Sequence, residues 1–324
     1  MTCIVDGSNL FFITWSAFKK MMQDKNHDFH YVIKKEDLGL FYHMLFKKTK
    51  DYLTTYKDII FAFEGKHSTA WRKQKYPLYK ENRAAAKEDP NYALVSPLIG
   101  DYKNLLKGFH CKVMEVENCE GDDVIYKLSE YFTSKGEQVN IVSSDRDLTQ
   151  ICGFFDGVSI YNPMSQINSK CVAVTTAENY NKNIIVEKAI VGDTSDNIKG
   201  LPRVGEKTLE KMLTDKTEWN KIMEKGDNAS LYETILEIVD LRKYPKEYQD
   251  KIIEEFESFD YYKFDPESIE AFFVEHNLQQ CLRDWTNTCG EINLMLASDD
   301  NSSSAEDEIM ALLNDWQKYQ KGVK

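Results

Sequence analysis

Three short apolar runs in this chain each close on an acid: CIVD (3–6), DIIFAFE (58–64) and VNIVSSD (139–145). Each reads as a strand, and the stretches between them carry helical patterns. A helix follows the first run, where Ser8 or Asn9 can cap it. KKEDLGLFYHMLFKKTKDYLTTY reads as a second helix, Asn91 to Leu106 as a third, and GDDVIYKLSEYFTSKG as a fourth ending at Gly136. CKVMEV (111–116) is a further extended run. Strands alternating with helices require right-handed crossovers, so the expected class is α/β with a mainly parallel central sheet flanked by helices. In open parallel sheets, sites form beyond the carboxyl ends of the strands. Asp6, Glu64 and Asp145 all fall there. One such acid is an ordinary turn residue or helix cap; three strands ending alike point to a shared site.

Two further acid pairs and one crowded helix start enlarge the set. EGDDVI supplies Glu120, Asp122 and Asp123; SSDRDL supplies Asp145 and Asp147; GDTSDN supplies Asp193 and Asp196. At a helix N-terminus the dipole favours negative charge, so capping alone would explain Glu120 and Asp123. Converging carboxylates, however, repel one another and protonate unless a cation neutralises them. All-oxygen donors without His or Cys suit Mg²⁺, with Mn²⁺ able to substitute. Two such ions about 4 Å apart can activate a water and stabilise a leaving oxygen, which is phosphodiester hydrolysis.

The 324 residues carry a net charge of −12, which speaks against a generally basic nucleic-acid binder. Local distribution matters more for phosphate contacts. From Lys66 to Lys87, residues 66, 72, 73, 75, 80, 83 and 87 are basic, against the single acid Glu81. Trp71, Tyr76 and Tyr79 interleave with Arg72, Lys73, Lys75, Lys80 and Arg83, a combination suited to single strands or fraying ends. The plainer alternative is a solvated loop whose aromatics pack on the core. GLPRVGEKTLEKML (200–213) places Gly200 and Gly205 around a tight turn before a helix, with Lys199, Arg203, Lys207 and Lys211 beside it. Backbone amides at such a turn can face a phosphate, so this hairpin is expected to hold duplex backbone without reading sequence.

The seven cysteines have no CxxC spacing, which suits reduced thiols in a cytosolic protein rather than a zinc site. No run reaches membrane-spanning length and no signal-peptide pattern opens the sequence. Residues past 184 read as helical. Residues 297–308 (ASDDNSSSAEDE) read as a flexible acidic linker, and Ile309, Leu312, Leu313 and Trp316 share one face of a last short helix. The expected division is therefore a core over 1–183 with a basic arch at 66–90, a helical region over 184–296, and a tail over 297–324.

IVDGSN, YKENR, EGDDVI, SSDRDLTQ and GDTSDNIKGLPRVGEKT, in that order, resemble the 5′-nuclease superfamily of flap endonucleases and 5′→3′ exonucleases over roughly residues 2 to 290. WRKQ…YKENR with SSDRDLTQ…YNPM looks like the T-even phage ribonuclease H type, a primer-removing 5′ nuclease. The resemblance implies a PIN-like fold with an acidic trough, a helical arch and a helix–hairpin–helix. It implies one metal near Asp6, Glu64, Glu120 and Asp122, and another at Asp145, Asp147 and Asp193, with Asp123 and Asp196 in or near the outer shell. Lys80 and Arg83 match the family's basic pair at the scissile phosphate. A monovalent ion such as K⁺ at the hairpin is also implied. The family usually has Asp where this chain has Glu64, and one extra methylene moves the carboxylate by about 1.5 Å.

The leading expectation is thus a Mg²⁺-dependent structure-specific 5′ nuclease. It would act as a monomer on duplex DNA with a 5′ end or flap, or on an RNA–DNA hybrid, in the cytoplasm of a phage-infected host. A catalytically weak structure-specific DNA-binding protein is the alternative. A phosphomonoesterase leaves the basic stretch and hairpin without a task. The terminal helix is expected either to dock on a replication partner, a sliding clamp or single-strand-binding protein, or to pack against its own domain. QQCLRDW (279–285) faintly suggests a clamp peptide, but its place after AFFVEHNL suits a core helix better.

Overall fold

The computed structural model describes residues 1–166 and 173–297. The expected linker and terminal helix, from residue 298 on, lie outside them. Two compact units are interleaved along the chain: Met1–Leu10, Ile60–Pro97 and Val113–Asp260 form one, and Phe11–Ile59, Leu98–Lys112 and the described residues 261–297 form the other.

The first unit carries the sheet. Its strands are β1 (Thr2–Asp6), β2 (Ile59–Ala62), β3 (Lys112–Met114), β4 (Val139–Val142), β5 (Val158–Tyr161) and β6 (Val174–Thr175), in the order β3-β2-β1-β4-β5-β6. β1 pairs parallel with β4, and β4 with β5; β6 closes the edge antiparallel to β5. The mainly parallel sheet expected from the strand–helix alternation is present, and every residue of β1 and β2 is buried. Continuous apolar runs, not alternating ones, are what strands covered on both faces require. The order reverses between β1 and β4, the position where open parallel sheets leave a crevice at their carboxyl ends. Val5 is in register with Val142, so the next residues, Asp6 and Ser143, emerge side by side at that crevice.

The helices are α1 (Gly7–Asn26), α2 (Leu38–Leu53), α3 (Ala70–Lys75), α4 (Tyr92–Leu106), α5 (Gly121–Ser134), α6 (Ile184–Val191), α7 (Glu206–Thr214), α8 (Lys216–Met223), α9 (Asn228–Val239), α10 (Lys246–Ser258), α11 (Pro266–Glu275) and α12 (Gln279–Ala297). The cap of α1 differs from expectation. Asp6 itself accepts the amide of Asn9 at 2.9 Å, so the strand's last acid caps the helix that follows. The basic stretch 66–90 folds as α3 and a 3₁₀ segment over Glu81–Glu88.

Ile190 of α6 joins Leu201, Val204, Leu209, Met212 and Ile222 in one apolar cluster, and Ala189 of α6 joins Tyr79, Ile198, Ile235 and Ile238 in a second. The second unit is helical, with Phe11, Trp15, Phe41, Phe46 and Phe273 in edge-on aromatic contacts. Cys281 and Trp285 are buried in α12, as a core helix requires.

Candidate active site

The crevice between β1 and β4 is knit by short polar links. Ser143 donates its hydroxyl to Asp6 Oδ2 at 2.9 Å and accepts the amide of Asp145 at 3.0 Å. Asn9 Oδ1 accepts both the amide and the hydroxyl of Ser144, each at 3.0 Å. Asp145 Oδ1 in turn accepts the amide of Asp147 at 2.8 Å. DGSN and SSD therefore lock the two strand ends together. Asn9 reads from the sequence as a candidate helix cap, and Ser143 and Ser144 as the end of a strand run; the repeated small polar residues beside the acids are the signal that marks them.

Burial, with the Asp145 charge beside it, pushes the Asp6 carboxyl up to about 6 despite the two hydrogen bonds it accepts. Glu64 lies two residues past β2, where the chain can pass only as glycine: a Cβ on Gly65 would lie 1.8 Å from the Val116 carbonyl oxygen. Glu64 Oε2 accepts the Gly121 amide at 3.3 Å, so its longer side chain reaches the first turn of α5. Its surface remains open to water, yet lost hydration and the Glu120 charge push it up to about 7. Asp122 is held well above the usual range by burial, Asp145 and Asp6, and among the described residues no donor is hydrogen-bonded to its carboxylate. Asp6, Glu64, Asp122 and Asp145 thus form one mutually repelling acidic group. Such a group suits a cation.

Glu120 and Asp123 behave differently. Glu120 is buried and accepts from Lys80 Nζ at 2.5 Å, Tyr79 Oη at 2.9 Å and Arg72 Nη1 at 2.8 Å. Burial opposes its ionisation, but Lys80 and Arg72 outweigh that and hold its carboxyl below the usual range. Asp123 meets Arg72 through two bonds of 2.9 and 2.6 Å and accepts the Glu120 amide at 2.9 Å, closing the capping box of α5. Two expectations change here. Arg72 is 3% exposed and pinned to α5, with its Nε on the Ile238 carbonyl, so it has no free face for DNA. Tyr79 is buried against Ala189, Ile198 and Ile235, so its ring is not a stacking platform. Trp71 and Tyr76 pack on the same cluster. Asp123 spends its carboxylate on Arg72 and the Glu120 amide, a placement compatible with the outer shell expected for it.

The second acidic group has a cation of its own. Asp147, Asp193 and Asp196 bring carboxylate oxygens within 4.8 Å of one another. Lys188, in the last turn of α6, bonds both Asp147 Oδ2 and Asp193 Oδ2. Asp193 also accepts the amide and hydroxyl of Ser195, at 2.8 and 2.6 Å. Burial works against its ionisation, yet these donors pull its carboxyl down to about 2. Asp147 shares the same lysine, but lost hydration together with the Asp145 and Asp196 charges it faces outweighs that cation and pushes it up to about 7. Lys188 was missed in the sequence, where a lysine near a helix C-terminus reads as dipole compensation.

Asp193 and Ile198 exchange two backbone bonds of 2.7 Å, and this turn docks on the basic segment. The Lys80 amide donates to the Asp196 carbonyl at 2.9 Å, Asn82 Nδ2 to the Thr194 carbonyl at 2.9 Å, and Asn197 Nδ2 to the Leu78 carbonyl at 2.7 Å. Lys80 is nearly buried with a left-handed backbone (φ 54°), while Arg83 is 57% exposed and reaches Asp196 Oδ1 at 3.1 Å. Lys73 and Lys75 are exposed, Lys75 on Glu237 at 2.8 Å. In the hairpin, Lys199, Arg203, Gly205 and Lys207 are exposed and Gly200 is buried. A cleft of about 860 Å³ joins Asp145, Asp147, Lys188, Asp193 and Lys199.

The fold and site define a parallel-sheet protein with an all-carboxylate trough at its strand-switch point and a basic hairpin beside it. Residues 1–189 match the family model described as 5′-3′ exonuclease, N-terminal resolvase-like domain, and the chain belongs to that family. A 5′-3′ exonuclease of Buchnera aphidicola is 30% identical over 231 residues, covering 68% of this chain and 73% of the relative. DNA polymerase I of Rhizobium leguminosarum is 27% identical over 257 residues, 74% of this chain but 23% of that protein; the chain spans about a quarter of the polymerase's length. The phage T5 D15 protein co-crystallised with metal ions shares the fold, with a TM-score of 0.52 at 19% identity over 85% of this chain and 98% of that one. Among the described residues no helix is long and apolar enough to cross a membrane.

Proposed function

We propose that this chain is a divalent-metal-dependent 5′ nuclease that hydrolyses phosphodiesters at the 5′ end or 5′ flap of duplex DNA. The observation that carries the reading is the pair of acidic groups at the β1/β4 crevice, one of which already holds a cation, the Lys188 ammonium, between Asp147 and Asp193. The donors are all carboxylate oxygens, which fit a hard divalent ion, and Mg²⁺ with Mn²⁺ as substitute is the assignment they favour. Asp6, Glu64, Asp122 and Asp145 would hold one ion, and Asp147, Asp193 and Asp196 the other. Bound there, such ions supply a nucleophilic water at neutral pH and neutralise charge on the leaving oxygen.

The protein's own groups do the rest. Glu120, already neutralised, holds Lys80 and the end of α5 in place. Arg83 presents a guanidinium that can turn from Asp196 to a phosphate. Lys199, Arg203 and Lys207 flank the hairpin as contacts to duplex backbone, with Gly200 and Gly205 allowing close approach and K⁺ as the proposed hairpin ion. Lys73 and Lys75 line the strand's approach. The proposed division keeps 1–183 as nuclease core and 184–296 as DNA-binding region. RNA-primer removal, a clamp or single-strand-binding protein as partner, and a cytoplasmic setting complete the reading.

A labelled 5′-flapped duplex incubated with the chain in Mg²⁺ and in EDTA tests it. The expected result is Mg²⁺-dependent release of 5′-phosphate products. Tight binding with no Mg²⁺-dependent cutting would leave a DNA-binding protein instead.

A further inference from the structure

Lys188 stands where its backbone cannot retreat. It lies in the last turn of α6, its carbonyl accepts the Gly192 amide at 3.0 Å, and the Ile190 carbonyl accepts the Leu201 amide at 2.8 Å. The chain at Gly200 (φ 64°) presses so close that a Cβ there would sit 2.4 Å from the Val191 carbonyl carbon. Only the lysine's side chain is free to move.

Its ammonium bonds two carboxylates from different segments, Asp147 after β4 and Asp193 after α6. A divalent ion held by the oxygens of Asp147, Asp193 and Asp196, which lie within 4.8 Å of one another, would occupy the space the ammonium fills. Like charges at such a distance repel strongly when water is scarce, and Lys188 and Asp147 keep only 14% and 20% of their side-chain surface. Lys80 is placed differently. Its carboxylate, Glu120, keeps Arg72 and Tyr79 as donors whatever Lys80 does. For Asp147, Lys188 is the one cation bonded among the described residues.

We propose that Lys188 is a positioning residue that acts as an exchangeable internal cation. It holds the second acidic group together without metal, is displaced when a divalent ion enters, and swings into the cleft to meet a substrate phosphate. The side chain has the means: an unbranched stem with three rotatable donors, opening on a cleft of about 860 Å³ that Lys199 also lines. The inference rests on the metal-nuclease reading above.

Two measurements on the full chain test it. In wild type, amine acetylation followed by mass spectrometry should find Lys188 protected in EDTA and at least several-fold more reactive with saturating Ca²⁺. Mn²⁺ titration by electron paramagnetic resonance should show Lys188→Met binding its weaker Mn²⁺ at least about tenfold more tightly than wild type, because a competing charge is gone. A lysine that stayed on its carboxylates would also let the variant bind Mn²⁺ more tightly, through charge alone, but would remain protected from acetylation with Ca²⁺. Unchanged or weaker Mn²⁺ binding in the variant, or Lys188 equally or further protected by Ca²⁺, overturns the exchange while leaving the nuclease reading intact. No Mn²⁺ binding in wild type overturns both.

Discussion

Removing the metal and raising the pH should weaken this fold, and Asp6 sets the scale. Its carboxyl is pushed, chiefly by burial, from the ordinary 3.8 to about 6. The folded chain therefore holds that proton more tightly than the unfolded chain. The sign follows from linkage: where the folded state binds more protons, stability falls as pH rises. The contribution is fully present below about pH 4 and is lost as pH climbs through about 6. A displacement of about 2 in pKa corresponds to ~3 kcal/mol. Asp122 and Asp147 are displaced the same way, the latter to about 7, so the decline extends to neutral pH. A divalent ion removes the repulsion and should restore stability most where the acids are ionised. Urea unfolding in EDTA and in Mg²⁺, from about pH 5 to 8, measures this. Wild type in EDTA should lose stability across the range, Asp6→Asn should lose ~1 kcal/mol less because about half of the Asp6 contribution is already gone by pH 5, and Mg²⁺ should stabilise wild type more at pH 8 than at pH 5. Flat EDTA stability, or equal Mg²⁺ gains at both ends, would refute the reasoning.

Other expectations separate structural from binding cations. Arg72→Met strands Asp123 and takes one donor from Glu120; breaking a buried pair of this kind costs about 3–5 kcal/mol, read as a lowered urea midpoint. Lys207→Ala should leave that midpoint unchanged but reduce the slope of log binding constant against log salt by about 1, measured by fluorescence anisotropy with duplex DNA. Gly200→Ala forces a Cβ to 2.4 Å from the Val191 carbonyl carbon at a left-handed backbone position, and should both weaken duplex binding and cost at least ~1 kcal/mol of stability.

Much of this architecture is written locally. CIVD and VNIVSSD are strands because their apolar runs are short and end in polar turns, and the acids follow because strand ends must turn. EGDDVI marks a helix start, since Glu120 and Asp123 are spaced to cap it. What the string conceals is pairing over distance. Arg72 sits in a run of basic residues that reads as surface, yet Asp123, 51 residues on, buries it. Tyr79 reads as a stacking ring until Ala189, Ile198 and Ile235 close over it. Lys188 reads as an ordinary lysine of an amphipathic helix until Asp147, 41 residues away, arrives at its ammonium. β6 is only two residues long, and β5 (VSIY), though as long as β2 and β4, interrupts its apolar residues with Ser159, so neither stands out as a strand in the sequence. In each case the deciding partner is remote in sequence, and composition alone favours the bland surface assignment.

Asp122 gives the most direct test of the trough. It is crowded by Asp145 and Asp6, among the described residues no donor is hydrogen-bonded to its carboxylate, and its amide isostere should keep the fold. Single-turnover cleavage of a 5′-flapped duplex in Mg²⁺ should fall about a thousandfold in Asp122→Asn, on the scale of several kcal/mol of metal-borne stabilisation. Its metal-free stability at neutral pH should rise at the same time. Cleavage at the wild-type rate would contradict the assignment of this acidic group to catalysis.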